Sequence, residues 1–365
     1  MNLDFLNIEG HTQKPAAEAA PRDFRWPAEW EPQDAVWFTW PHRSDTWPAK
    51  KLSSIQKQFA DFIALISRTQ PVSINVAAPH HSAVLEALKI AHAELDHITL
   101  HDHPSNDVWC RDHGATFVVD QSSKQLHGID WHFNAWGGKF PPWELDDQVA
   151  AKMASAISAE TTRSSIFLEG GAIEGNGAGV VLTTEAVALN PNRNPELSKQ
   201  DIEQELQRCL GASSIFWLPS GIEGDDTDGH IDDLTRFVAE DMIVSIEDLN
   251  PKSPNYRVLQ TNLELLQDLK TASGSNVETI PLPMPDPLRA DQWRLDTLPA
   301  SYANFLILNQ LVLVPTFDQS RNDDRACGML RELFPSREVV GIDCSEILWE
   351  GGAIHCLSQQ QPSVT

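Results

Sequence analysis

The chain has 365 residues, of which 41% are hydrophobic, and its 27 Lys and Arg against 52 Asp and Glu give a formal net charge of −25. Such an excess of acid excludes a protein that binds nucleic-acid backbones or anionic membranes through charge, because phosphates attract Lys and Arg. The length and the hydrophobic fraction suffice for a sizeable core, which excludes overall disorder, and a small cationic ligand fits the sign of the charge.

The predicted elements begin after an N-terminal arm. Residues 1–24 are polar and rich in Ala and Pro, which predicts a flexible arm, and we expect a single domain over residues 25–365. Apolar residues then recur at helical spacing, at Ile55, Phe59, Phe62, Ile63 and Ile66. They predict a helix that leads into a strand over residues 72–76.

Helices and strands continue to alternate along the chain. Further helices are predicted over residues 82–95, 198–210 and 323–333, and further strands over residues 98–100, 115–119, 214–218 and 339–342. This alternation is typical of the α/β class. Neither GxGxxG nor GxxxxGK[ST] lies at a strand-to-helix junction, so a doubly wound nucleotide-binding fold is not favoured.

The cysteines and the chain start favour a cytoplasmic protein. No run of about 18 uncharged apolar residues is present, and MNLDFLNIEGHTQK lacks the basic-then-apolar order of a signal peptide. The cysteines are Cys110, Cys209, Cys327, Cys344 and Cys356. They are odd in number and form no CxxC pair, which favours reduced thiols over disulfides or a zinc site.

An acidic stretch contains the first candidate catalytic group. His230 and Asp232 follow residues 224–228, and on a strand they would point to one face. His230 would then act as a general acid and base while Asp232 binds a cation. The alternatives are a solvated acidic loop or a metal site. An EF-hand is not favoured, because Ile231 stands where the turn needs Gly and Phe237 where it needs Glu.

Two further segments place an acidic residue beside glycine. Trp109 with Asp112 would form an aromatic wall and an anionic floor for a planar cation, although Arg111 equally favours a structural ion pair. Glu169 ends an apolar run before two glycines, either as a turn residue or as a carboxylate above a pocket. The string Glu169–Ile173 recurs at residues 350–354, through either a repeated module or a common Gly-Gly turn.

Cys356 is the candidate nucleophile. A free thiol is usually a small buried hydrophobe, and the other cysteines fit that interpretation. Two glycines precede Cys356 and polar residues follow it, so we expect enough exposure for a reactive thiolate. A base and an orienting group must come from elsewhere in the chain, and His230 with its carboxylates is the candidate.

Together these segments resemble the agmatine deiminases, guanidine-modifying enzymes with the pentein fold. The resemblance runs from about Trp26 to Pro362. Its motifs are PAEWEP at 27–32, WPH at 40–42, residues 109–114, LEGG at 168–171, LNPNRNP at 189–195, residues 224–233, SYANF at 301–305, and HC at 355–356 before three Gln and a Pro. Each motif is weak alone, whereas the ordered set is specific.

The resemblance implies a single pentein catalytic domain. Five ββαβ-type modules would surround a pseudo-fivefold axis with the active site at the centre, and the two EGGAI strings would be equivalent turns. The implied catalytic residues are Cys356, His230, Asp112, Asp232 and Glu169, and the implied substrate-binding residues are Trp109, Asp112, Asp232 and Asp226. Asp225 and Asp226 are candidates for the distal amine by position alone.

The implied reaction hydrolyses agmatine to N-carbamoylputrescine and ammonia through a covalent thiouronium on Cys356. The protonated His230 and the bound cation would lower the pKa of the thiol. The resemblance implies no metal or organic cofactor, no nucleic-acid or membrane partner, and a possible homodimer. The alternatives are a peptidyl-arginine deiminase, a metal-dependent ureohydrolase and a non-catalytic polycation-binding module.

The chain departs from the family pattern at three positions. Ala115 stands where the family often has Pro, and Glu350 and Ala353 stand where it often has Gly and Asn. None of these positions is assigned to the chemistry. Glu350 adds a negative charge near Cys356, and this charge bears on either the substrate preference or the pKa of the thiol.

Overall fold

The computed structural model describes residues 23–44, 46–47, 49–289 and 296–364. Residues 1–22 of the expected arm lie outside this part of the chain, whereas Phe24 already belongs to the first strand. The strands are β1 (Phe24–Arg25), β2 (Gln33–Thr39), β3 (Val72–Val76), β4 (Ile98–Asp102), β5 (Thr116–Asp120), β6 (Gln125–His132), β7 (Glu160–Phe167), β8 (Ile173–Gly175), β9 (Val180–Thr184), β10 (Ser214–Leu218), β11 (Thr235–Ala239), β12 (Met242–Glu247), β13 (Glu278–Pro283), β14 (Leu288–Arg289), β15 (Thr297–Leu298), β16 (Leu306–Ile307), β17 (Leu311–Thr316), β18 (Glu338–Asp343) and β19 (Ser358–Pro362). The helices are α1 (Ala49–Ser67), α2 (His81–Ile90), α3 (Cys110–His113), α4 (Ala135–Gly138), α5 (Val149–Ala156), α6 (Glu185–Ala188), α7 (Lys199–Leu210), α8 (Tyr256–Leu266) and α9 (Ser320–Leu333).

Five sheets of the described residues share one pairing pattern. Each contains an antiparallel pair of strands and a parallel partner that is reached through a helix. The sheets are β1-β5-β6-β7, β8-β9-β10, β11-β12-β13, β16-β17-β18 and β19-β2-β3-β4, beside the ribbon β14-β15. In the last sheet β19 pairs with β2, so the C-terminal segment lies beside an N-terminal strand. This mixed architecture confirms the predicted α/β class.

Most predicted elements are confirmed, and their ends have local causes. Strand β3 spans the predicted residues, and α7 begins where Ser198 forms a capping box with Asp201. The helix predicted over residues 82–95 is wrong in length, because α2 ends at Ile90 and His92 has φ of 61°. Leu95 belongs to the apolar pattern that predicted the longer helix, but it is 40% exposed. Extending α2 to this residue would therefore have buried little additional apolar surface.

The connections between successive sheets carry the candidate residues. Asp112 lies between β4 and β5, Glu169 between β7 and β8, His230 between β10 and β11, and Cys356 between β18 and β19. Groups that are far apart in sequence are thus placed at corresponding points of a repeated pattern. No helix among the described residues is long and apolar enough to cross a membrane.

Candidate active site

A cavity of about 350 Å³, measured with its open mouth, lies where these connections meet. Its lining residues are Asp107, Trp109, Asp112, Trp136, Phe140, Asp226, Thr227, Glu350, Gly351, Gly352 and Cys356. Aromatic rings and carboxylates dominate this lining, and no Lys, Arg or His is among it in the described residues. A flat cation fits such a wall, because ring faces and carboxylates both attract positive charge.

Asp112 forms the anionic floor of the cavity from α3. Its Oδ2 accepts a hydrogen bond from Trp136 Nε1 at 3.0 Å, and its Oδ1 accepts one from Gly171 N at 3.0 Å. Burial and the charges of Asp232 and Glu169 raise the pKa of Asp112 to about 7, although His230 opposes this shift. Burial therefore favours the protonated form of Asp112, and a cation bound beside it would favour the ionised form.

His230 is buried between two carboxylates. Its Nδ1 lies 3.7 Å from Asp112 Oδ1 and its Nε2 lies 3.6 Å from Glu169 Oε2, which are ion-pair distances. Burial disfavours the charge on His230, but Asp112 and Glu169 outweigh it and raise its pKa to about 10. Glu169 stays ionised because, despite burial, Arg193 Nε at 2.8 Å and His230 lower its pKa.

The predicted strand at His230 and Asp232 is wrong. His230 precedes a 3-10 helix, Ile231–Asp233, and its backbone N–H donates to Asp225 Oδ2 at 3.0 Å. The Asp225 carboxylate thus binds the backbone of His230, and it is not among the residues that line the cavity, so the structure does not favour it for the distal amine. Asp226 does line the cavity.

Two glycines allow the candidate groups to converge. A Cβ added at Gly171 would lie 2.6 Å from His230 Nδ1, 2.8 Å from Asp112 Oδ1 and 3.2 Å from Asp232 Oδ2. A Cβ added at Gly352 would lie 2.6 Å from the Trp109 ring and 3.1 Å from Cys356 Cβ. The two EGGAI strings therefore both lie against the site.

The two strings are nevertheless not equivalent turns. A 3-10 helix follows Glu169, as Gly170–Ala172, whereas another, Ile347–Glu350, precedes the second glycine pair. The two identical sequences adopt different backbone conformations, because the second begins at the end of a 3-10 helix, where Gly351 has φ of 100°.

Cys356 lies on the cavity wall but is only 5% exposed, which contradicts the expected exposure. Asn304 Nδ2 donates to its Sγ at 3.0 Å, and the thiol lies 3.6 Å from Asp232 Oδ2. Burial, followed by the charges of Asp232, Asp233 and Asp112, raises the pKa of the thiol well above its ordinary value. In the protein alone, Cys356 is therefore a neutral thiol.

One group of possible metal ligands occurs in the described residues. Asp232, Asp233 and Cys356 bring three ligand atoms within 4.8 Å of one another. His230 is not a member of that group, so this group does not favour the alternative of a metal site built from His230 and Asp232. The Asp233 carboxylate already accepts a hydrogen bond from Asn304 Nδ2 at 3.0 Å. A divalent ion here would compete with a cationic substrate for Asp232.

Comparison with known proteins identifies the family of the chain. Residues 25–362 match the model of the Porphyromonas-type peptidyl-arginine deiminases. The chain belongs to this family. An agmatine deiminase of Pseudomonas aeruginosa (strain LESB58) is 38% identical over 362 residues, covering 93% of this chain and 96% of that protein. A putative agmatine deiminase of Legionella pneumophila (strain Paris) is 36% identical over 339 residues, covering 93% and 95%.

Solved structures of the family share the fold. Agmatine deiminase of Enterococcus faecalis superimposes with a TM-score of 0.88 at 33% identity, covering 94% of this chain and 97% of that one. A cysteine-to-serine variant of C. Jejuni agmatine deiminase with substrate bound gives a TM-score of 0.83 at 30% identity, covering 93% and 96%.

Several residues around the site were not predicted from the sequence. They are Glu29, Trp136, Arg193, Asn304 and His355. Four lie in or beside motifs that carried the family resemblance, but their roles depend on contacts made by distant segments. Trp136 had no motif signal.

Arg111 has the structural role that its sequence position favoured. It forms a buried ion pair with Glu29 at 3.8 Å, and its guanidinium donates to Gln359 Oε1 at 2.9 Å and Gln360 Oε1 at 2.6 Å. It thereby attaches α3 to β19 and positions Asp112 relative to Cys356.

Proposed function

We propose that this protein is an agmatine deiminase that hydrolyses agmatine to N-carbamoylputrescine and ammonia. The observation that carries the proposal is a buried thiol, Cys356, beside two carboxylates that converge with His230 at Gly171. A planar guanidinium donates paired hydrogen bonds to carboxylates, so Asp112 and Asp232 would bind and orient its nitrogens. The names of the relatives support the same substrate.

The proposed chemistry has two stages. The Cys356 thiolate forms a bond to the guanidinium carbon, and His230 donates a proton to the departing nitrogen, which leaves as ammonia. The neutral His230 then takes a proton from a water molecule while the oxygen of that water attacks the thiouronium carbon. The C–S bond breaks, the ureido product leaves, and the proton that it releases is taken up by ammonia or solvent. The role of His230 as proton donor is consistent with its raised pKa.

The thiol would ionise only after the cation binds. In the free protein Asp232, Asp233 and Asp112 oppose a further negative charge on Cys356. A guanidinium held by Asp112 and Asp232 would offset that repulsion and stabilise the thiolate, and the proton of the thiol would pass to solvent because His230 is already protonated. We therefore expect the pKa of the thiol to be lowered only in the substrate complex, because in the free protein that pKa is raised.

The fold would serve this site as a propeller of five units. We infer that residues 25–365 form one catalytic domain, in which the five sheets surround a pseudo-fivefold axis and pairing of β19 with β2 closes the ring. The recurrence of candidate residues in the connections between sheets supports a central position for the cavity.

Product identification tests the function. We expect the purified protein to release ammonia and N-carbamoylputrescine from agmatine, and to act far less on free arginine or on a peptide with internal arginine. Preferred turnover of the peptide would favour a peptidyl-arginine deiminase. Urea as the product, or loss of turnover with a chelator, would favour a metal-dependent ureohydrolase instead.

The acidic mouth predicts preference for a substrate with a distal amine. Asp226 and Glu350 line the cavity, and the backbone beside Glu350 is close to Asp226, because a Cβ added at Gly351 would lie 3.0 Å from Asp226 Oδ1. These carboxylates would attract the amine of agmatine and repel the carboxylate of free arginine. We expect Asp226→Asn and Glu350→Gln each to raise KM for agmatine about tenfold, or ~1.4 kcal/mol, with a smaller change in kcat.

The matched control is Glu338→Gln, which removes an exposed carboxylate outside the cavity. It should leave the steady-state constants for agmatine unchanged. An unchanged KM in both cavity variants would show that neither carboxylate binds the amine.

A further inference from the structure

A buried imidazole that the proposed chemistry does not use lies behind Asp232. His355 is 1% exposed and does not line the cavity. Its Nδ1 lies 2.7 Å from Asp232 Oδ2, and its Nε2 lies 2.9 Å from Glu29 Oε2. The three side chains therefore form a continuous hydrogen-bonded chain, which runs from the PAEWEP segment to Asp232, whose Oδ2 lies behind the cavity wall at 3.6 Å from Cys356 Sγ.

The outer end of this chain has a fixed charge. Burial disfavours an ionised Glu29, but Arg236, His355 and Arg111 outweigh it and hold the pKa of Glu29 well below its ordinary value. Arg236 Nη2 donates to Glu29 Oε2 at 2.6 Å, and Ile307 N donates to Oε1 at 2.6 Å. Glu29 thus remains an acceptor that orients the His355 ring.

The inner end governs how Asp232 can bind a cation. Burial disfavours an ionised Asp232, whereas the hydrogen bond and charge of His355 lead the effects that lower its pKa. His355 occupies Oδ2, while Asp232 Oδ1 is buried without a hydrogen-bond partner in the structure. A buried unpaired acceptor is costly, so Oδ1 is the atom suited to accept from a bound guanidinium.

The same residue is coupled to the nucleophile. His355 precedes Cys356, and its backbone N–H donates to Asn304 Oδ1 at 3.0 Å. Asn304 Nδ2 contacts Cys356 Sγ at 3.0 Å. The distance between the thiol and Asp232 is therefore set partly by His355.

We propose that His355, oriented by Glu29, is a positioning residue that holds Asp232 Oδ2 and presents Oδ1 to the guanidinium. Because the imidazole occupies Oδ2, Oδ1 is the oxygen that can accept from the cation. The effect is to strengthen cation binding without contact between His355 and the substrate. This inference rests on the proposed function in that a guanidinium is the cation.

Two variants of His355 separate its two hydrogen bonds. In His355→Asn the side-chain amide replaces Nδ1 and can still donate to Asp232, whereas in His355→Gln it replaces Nε2 and contacts Glu29 alone. We expect His355→Gln to raise KM for agmatine about tenfold or more and to move the acidic limb of kcat/KM upward by about one pH unit or more. His355→Asn should show a clearly smaller shift of that limb. His127→Gln serves as control, because His127 is equally buried and contacts Thr162 outside the site.

A second measurement does not depend on turnover. Guanidinium chloride at millimolar concentration should change the rate at which iodoacetamide alkylates Cys356 in the wild-type protein, because a bound cation covers the thiol and also favours its ionisation. About tenfold more should be needed for the same change in His355→Gln. Thermal unfolding checks that each variant is folded; if His355→Gln is not, the concentration needed in His355→Asn, which loses the contact with Glu29, should lie above that of the wild type. Equal concentrations and an unshifted acidic limb in the folded variants would overturn the inference. Absence of agmatine turnover in the wild type would instead contradict the proposed function, while leaving the alkylation measurement valid.

Discussion

Replacement of Cys356 by serine is expected to lower kcat/KM for agmatine by about 1,000-fold or more. A serine hydroxyl ionises far less readily than a thiol, and the same three aspartates that oppose the Cys356 thiolate would oppose an alkoxide more strongly. Substrate binding should persist, because Asp112 and Asp232 are unchanged. Agmatine should therefore still stabilise the variant against thermal unfolding.

The control for this variant is Cys327→Ser. Cys327 is also 5% exposed, but it lies on α9 away from the cavity, so the substitution should preserve turnover. Ammonia release measures turnover, and intact mass detects covalent modification. The wild type should carry a covalent adduct with a haloacetamidine, and Cys356→Ser should not. Substantial hydrolysis by Cys356→Ser would refute covalent catalysis by this residue.

Replacement of His230 by asparagine is expected to reduce kcat by about 100- to 10,000-fold. The variant loses the proton donor for ammonia and the acceptor for the attacking water, and it leaves Asp112 and Glu169 without the cation between them. His230→Asn should still bind agmatine, although more weakly than the wild type. The defect should appear in both formation and hydrolysis of the thiouronium.

The pH dependence gives an independent check. The pKa of His230 in the free protein is about 10, so its acid form is present at neutral pH and is lost only as the pH rises through about 10. The wild-type kcat/KM should therefore show an alkaline limb near that value, and His230→Asn should lack the contribution of this group. His127→Gln is again the matched control, and kcat within threefold of wild type in His230→Asn would contradict the assigned role.

Local patterns in the sequence predicted much of the secondary structure because their causes are local. The spacing of Ile55, Phe59 and Phe62 predicted α1, and the apolar run at residues 72–76 predicted β3 with its observed ends. The errors arose where distant contacts decide the backbone. Asp225 binds the His230 backbone and a 3-10 helix follows where a strand was predicted, and α2 stops before the exposed Leu95.

The candidate site divides in the same way. The residue types and motifs pointed to Cys356, His230, Asp112, Asp232 and Glu169, and the structure brings these side chains to one region. They did not reveal Arg193, whose contact with Glu169 spans 24 residues of chain, or His355, whose partners Asp232 and Glu29 are 123 and 326 residues away. No local sequence pattern links such partners, because they become neighbours only when the fold brings distant segments together.

By itself, the sequence determined the α/β class, the surplus of acid and the likeness to guanidine-modifying enzymes, since composition, periodicity and ordered motifs belong to the chain. Only the tertiary structure decided that Cys356 is buried, that its thiol is neutral in the protein alone, and that Asp232 is supported from behind by His355 and Glu29. Burial and the charges that surround a group depend on which segments the fold brings together, and those quantities determine when a thiol or a carboxyl carries charge.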